Sequence, residues 1–214
     1  MSLSFLELYE KALSGDPVSQ FNLAIRFDNG IGVEVNKLKA IEWYKKSASQ
    51  GFDKAQFKLA LILEEGDGVK QDIKQAIIYY KKASEQGFSK AMYNLGLLYK
   101  NGEKVSYSFA KAMFYFWDAM QKGHINAKFQ YALVAFKEEY YYDSFIAFDE
   151  LRRNNLEDLT IEQKGIIYLY LSIMYNDGLF VKKNKAMVKD YLLSSVYYGN
   201  KEAEIFLKNK SNFC

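Results

Sequence analysis

Apolar positions along this chain follow helical spacing, and the spacing itself repeats. In the segment around residue 60, Leu59, Ala60 and Leu63 fall at i, i+1 and i+4, one stripe of a helix. About fifteen residues on, Ala76, Tyr80 and Ala83 fall at i, i+4 and i+7, the stripe of a second helix. Gly66 and Gly68 lie between the two, where a left-handed residue can end one helix and let the chain turn. The same layout returns up and down the chain. Gly15, Gly51, Gly87 and Gly123 stand 36 residues apart, and Gly30, Gly66 and Gly102 keep the same interval. Self-similarity on this scale predicts stacked helical hairpins, a solenoid in which each unit buries its apolar face on the next. The small residues Ala60, Gly96, Ala76 and Ala83 would let helices approach closely, with Tyr and Leu filling the flanks.

Three units align residue by residue. The first motif runs Ser19-Gln-Phe-Asn-Leu-Ala-Ile-Arg-Phe-Asp-Asn-Gly-Ile-Gly-Val33, then Ala55-Gln-Phe-Lys-Leu-Ala-Leu-Ile-Leu-Glu-Glu-Gly-Asp-Gly-Val69, then Ala91-Met-Tyr-Asn-Leu-Gly-Leu-Leu-Tyr-Lys-Asn-Gly-Glu-Lys-Val105. The second motif runs Lys39-Ala-Ile-Glu-Trp-Tyr-Lys-Lys-Ser-Ala-Ser-Gln-Gly51, with counterparts at 75–87 and 111–123. These residues resemble the Sel-1-like repeat family, a relative of the tetratricopeptide repeat. The resemblance implies an all-α fold, an α/α superhelical solenoid of stacked antiparallel helix pairs, acting as an interaction scaffold. Val33, Val69 and Val105 are expected to tuck each loop onto the core.

The remainder is related but degraded. A single repeat domain over 1–214 is expected, built from an N-terminal capping helix (4–15), three well-matched repeats (16–51, 52–87, 88–123), two degenerate ones (124–159 and 160–199) and a C-terminal cap (200–214). Ser4 with Glu7, and Thr160 with Gln163, are capping-box patterns. The unit from 124 lacks the glycine loop. From Tyr131 to Ser144 is 13 positions, against 17 from Leu59 to Ala76, which gives it the tighter turn of a tetratricopeptide repeat. Ser144, Phe148 and Leu151 then take the second-helix core places, and Asn154-Asn155 marks a break. The fifth unit regains the spacing, 21 residues from Gly178 to Gly199. A short helix is expected over 201–209, with a frayed end after it.

In tetratricopeptide-like stacks the first helix of each unit lines the concave face, which makes that face the candidate site. Phe21, Phe57, Tyr93, Phe129 and Leu169 share one recurring position; Ile25, Leu61, Leu97, Leu133 and Ile173 share another. Such a ladder suits an extended peptide or a partner helix. The competing reading is packing of one unit on the next. The polar neighbours Asn22, Arg26, Lys58, Glu64, Asn94, Lys100 and Lys128 could hold a partner's backbone or carboxylates. Tyr140, Tyr141 and Tyr142 form a possible secondary patch. Successive helical residues are turned by about 100°, so at least one of the three should be exposed.

Composition narrows the function class. The 214 residues are half apolar with a net charge of +3, and Lys and Arg are interspersed with nearly as many acids. That excludes a disordered chain and gives no nucleic-acid footprint. The first ten residues carry no basic leader or apolar core, and no stretch nears a membrane span, so neither a signal peptide nor membrane insertion is expected. Cys214 is the single cysteine, so no disulfide can form within the chain, and a cytoplasmic location is the expectation. No phosphate loop, zinc spacing or dinucleotide fingerprint occurs; no catalytic residue, metal site, cofactor or small-molecule substrate is expected. Ser108 and Lys111 match Ser-x-x-Lys without its companion motifs. His124 stands alone at a unit boundary and reads as structural. The expected function is a non-enzymatic scaffold or adaptor that binds a protein or peptide through the concave face. Narrower alternatives are a cytoplasmic immunity protein that neutralises a bacterial toxin domain, and a leaderless secreted effector that engages host proteins.

Overall fold

A computed structural model describes residues 4–209. Cys214 and the frayed end expected after residue 209 lie outside the described residues. The described residues form twelve α-helices and one short 3-10 turn, with no strand among them. They fall into two compact units, residues 1–107 and 108–214.

The first unit contains α1 (Phe5–Leu13), α2 (Pro17–Asn29), α3 (Lys37–Ser49), α4 (Asp53–Glu65), α5 (Ile73–Glu85) and α6 (Ser89–Asn101). Each helix packs on its neighbours in the chain, the pattern of successive hairpins. α1 opens on the capping box formed by Ser4 and Glu7. α2 and α4 end on Gly30 and Gly66 in the left-handed conformation. Gly68 has a second constraint. Its φ is +76°, and a Cβ there would lie 3.3 Å from the Cδ1 of Ile41 in the preceding pair. The loop therefore approaches its neighbour as closely as a residue without a side chain allows. Val33 and Val69 pack against the core of Leu8, Leu23, Phe27, Ile41 and Tyr44.

The second unit contains α7 (Phe109–Gln121), α8 (Ile125–Lys137), α9 (Tyr141–Asn154), α10 (Ile161–Asp177), α11 (Lys185–Tyr197) and α12 (Lys201–Asn209). The 3-10 turn Leu156–Asp158 follows α9 at the Asn154-Asn155 break. Thr160 and Gln163 form the second capping box, at the start of α10.

Packing follows the alignment. Tyr44, Tyr80, Phe116 and Phe148, one on each of four second helices, are buried to 1% exposure or less. Burying a ring of that size contributes about 1.5–3 kcal/mol each. Ala60, Ala76, Ala83, Ala112 and Ala119 are fully buried where the helices meet. Between pairs, amides supply polar contacts. Gln50 donates to Gln20 at 2.8 Å, and one repeat later Gln86 donates to Gln56 at 2.8 Å.

Candidate protein-interaction face

The first helices of the pairs are α2, α4 and α6 in the first unit and α8 and α10 in the second; α12 opens a further position of the same kind. The aromatic row on these helices is engaged in packing. Phe21 lies 5.7 Å from the ring of Tyr44 on α3 and 5.2 Å from Phe52 at the entry to α4. Phe57 repeats this, 5.8 Å from Tyr80 and 5.0 Å from Phe88. Each ring thus bridges its own pair to the start of the next. Phe129 is buried at 3% exposure and lies 6.4 Å from Phe148. Tyr93 is partly buried, and that burial pushes its phenol above the ordinary value. Leu61, Leu97 and Leu133, on the neighbouring row, stay partly exposed.

Three of the polar neighbours, Lys58, Glu64 and Asn94, belong to a network that ties one repeat to the next. Asp28 lies in the last turn of α2 with its side chain only 5% exposed. Lys37 reaches it at 2.7 Å, Lys58 from α4 at 3.1 Å, and the Tyr44 hydroxyl donates to it at 3.3 Å. Burial by itself would raise the Asp28 carboxyl; the bonds from Lys37 and Lys58 more than offset it, and the group titrates below its ordinary value. Burial, then the charge of Asp28, pushes the Tyr44 phenol well up, so it stays a donor. Lys37 also bonds Asp67 at 2.8 Å.

One repeat on, Glu64 takes the place of Asp28. It accepts from the Tyr80 hydroxyl at 2.7 Å and pairs with Lys104 at 2.9 Å, while Asn94 donates to the Tyr80 oxygen at 3.1 Å. Lys58 and Asn94 are therefore clamps between consecutive repeats. Arg26 and Lys100 are partly buried and take part in interactions, whereas Asn22 is exposed. Lys128 pairs with Glu150 at 2.9 Å. The sequence reading singled out Glu64, Lys58 and Asn94 and gave Tyr80 only a core place, but missed Asp28, Lys37 and Tyr44. The 36-residue offsets of Asp28 to Glu64 and Tyr44 to Tyr80 were the available signal.

Two clefts open between first helices, one in each unit. Between α4 and α6, a cleft of about 160 Å³ is lined by Glu64, Leu97, Leu98, Asn101, Glu103 and Lys104. In the second unit, α8, α10 and the start of α12 enclose about 440 Å³. Its apolar walls are Leu133, Ile166, Leu169 and Tyr170, with Glu162, Lys201 and Glu202 at the edge.

The remaining sequence candidates have local explanations. Tyr140 and Tyr142 are 49% and 59% exposed; Tyr141 packs on Phe136 with ring centroids 5.6 Å apart. Ser108 is the N-cap of α7, its hydroxyl accepting from the backbone N–H of Lys111 at 3.4 Å. The same capping position is held by Asn36, Asp72 and Asn184, so the Ser-x-x-Lys match is a recurring helix cap. His124 caps α8, its Nδ1 accepting from the backbone N–H of Ala127 at 3.2 Å. Among the described residues no cluster of three or more His, Cys, Asp or Glu could hold a metal ion, and no helix is long and apolar enough to cross a membrane.

The family pattern fits four segments, residues 17–52, 53–88, 89–116 and 168–187, described as Sel1 repeat. The chain belongs to the Sel1 repeat family. The unmatched stretch between the third and fourth segments holds α8 and α9. Solved structures carry the same fold. A protective antigen present in uropathogenic Escherichia coli strains, displaying an SLR fold, aligns over 95% of this chain with 25% identity and a TM-score of 0.72. The chain spans 43% of that protein. A Sel1 repeat protein from Oxalobacter formigenes aligns over 59% of this chain and 95% of its own, with 33% identity and a TM-score of 0.55. No curated protein matches the chain. Sel1 repeats are typically protein-interaction scaffolds without enzymatic activity.

Proposed function

We propose that this Sel1 repeat protein is a non-enzymatic adaptor that binds a protein or peptide on the first-helix face of its repeat units. The observation that carries this reading is the 440 Å³ cleft across α8, α10 and α12, walled by Leu133, Ile166 and Tyr170 and edged by charges of both signs. Apolar walls of that kind receive an anchoring side chain, and the charged edge sets orientation. Leu97 in the smaller first-unit cleft is the equivalent of Leu133 one repeat earlier. The aromatic row and the Lys58 and Asn94 clamps hold these helices in place and leave the leucines to meet the partner.

The test is affinity capture from a lysate of the source organism with wild type, Leu97→Glu and Leu133→Glu side by side. Both variants should keep their circular dichroism spectrum, since neither leucine is fully buried. A protein held by wild type and lost from at least one variant is the expected result. An identical set of retained proteins on all three would move the interaction off this face.

A further inference from the structure

The second unit has another cleft, to which the first helix α8 contributes Lys128 and Tyr131. It encloses about 370 Å³ between the second helices α7 and α9, with α8 beneath. Trp117 comes from α7; Tyr142, Asp143, Ile146 and Glu150 come from α9, spaced so that one helical face presents all four. Trp117 is 47% exposed, Tyr142 59% and Ile146 38%. Large side chains left open at one cleft, two of them the aromatic types that dominate binding energies, are the signature of a contact surface. The cleft also falls in the stretch that the Sel1 pattern does not match, so the repeat itself does not demand these residues.

The charges decide what fits. Glu150 is paired with Lys128 at 2.9 Å. Asp143 accepts from the Tyr131 hydroxyl at 3.2 Å and has no cationic partner among the described residues. Burial and then the charge of Asp143 push the Tyr131 phenol up to about 12, so it remains a donor. Two carboxylates face one ammonium, and the cleft is left net negative. An anionic ligand would meet that charge directly. A purely apolar side chain would cover Asp143 without compensating it, at a cost in desolvation. A guanidinium suits both features: it is flat, weakly hydrated, stacks on aromatic faces and donates twice to a carboxylate.

We propose that this cleft takes an arginine side chain presented by a protein partner, its plane against Trp117 and Tyr142 and its donors on Asp143. The Lys128–Glu150 pair closes one end. This site shares no lining residue with the Leu133 cleft, so its test does not depend on the outcome there.

The test is an NMR titration of the full chain with N-acetyl-arginine amide, and with N-acetyl-citrulline amide as the uncharged isostere. Saturable shifts at the Trp117 indole N–H and the Ile146 methyls are expected with the arginine compound. Binding should be about ten-fold weaker with citrulline, and about ten-fold weaker to Asp143→Asn. The methyls of Leu171, fully buried in the same unit, report whether that variant keeps its fold. Should they move, Trp117→Ala read at Ile146 takes its place, with the same loss expected. Absence of saturable shifts, equal affinity for the two compounds, or an undiminished response in the folded variants would overturn the proposal.

Discussion

Asp28, in the last turn of α2, holds its carboxylate nearly out of solvent, and three donors converge on it from α3 and α4. An unpaired charge at that depth would be costly, so the donors are what makes the position tolerable. The sign of its pH dependence follows from the lowered folded-state value. The stabilisation is complete above the unfolded carboxyl value, near pH 4, and is lost as pH falls through the lower folded value. Asp28→Asn, which keeps an acceptor and removes the charge, should reduce the unfolding free energy by about 1–2 kcal/mol at pH 7. The gap to wild type should be smaller at about pH 3. Urea unfolding at the two pH values measures it. A gap of the same size at both would mean that shape, rather than charge, makes the contribution.

At the scale of helices, the first helices begin at Pro17, Asp53, Ser89, Ile125 and Ile161, a constant interval that survives in the degenerate units. The second helices depart from the interval in the degenerate units. α9 begins at Tyr141, four residues earlier than the interval from α7 implies, because the glycine loop is missing. α10 runs to 17 residues where the earlier first helices have 13, so α11 begins at Lys185, four residues later than two intervals from α7 imply. The second helices of the matched repeats begin behind a side-chain cap, Asn36, Asp72 or Ser108. Asn36 accepts from the Lys39 N–H at 2.9 Å. Asn36→Ala should cost about 1 kcal/mol, and Asn36→Asp well under half of that. Thermal unfolding of the pair checks this; equal losses would show that the side-chain acceptor is not what matters.

Across the molecule, helices within each unit rest on their neighbours in the chain, so stability is a sum of local pairs and interfaces. Elements with one neighbour should open first. α1 rests chiefly on α2, and α12 on α11. Backbone amides of α1 and α12 should therefore exchange with solvent about ten-fold faster than those of α2 and α11. Hydrogen–deuterium exchange resolved by peptide reads this directly. Uniform protection would instead indicate opening as a single cooperative body.

The helix pairs, their glycine-ended turns and their buried alanines and aromatics were legible in the chain, because each follows from backbone preference and helical period acting over a few residues. So were both capping boxes and the break after Asn154, for the same local reason. Family membership came with them, since repeat spacing is itself a sequence property. The roles of the polar residues were not legible. Lys58 and Asn94 read as free hydrogen-bonding groups on a helix face, yet each reaches an acceptor supplied by the preceding repeat. The ring of Phe57 had two readings until Tyr80 and Phe88 were seen to enclose it. The cleft of Trp117, Tyr142 and Asp143 was invisible, since its walls come from helices about 25 residues apart. Period and propensity act along the chain; which side chains spend their hydrogen bonds internally and which remain open for a partner is decided only when the helices are stacked.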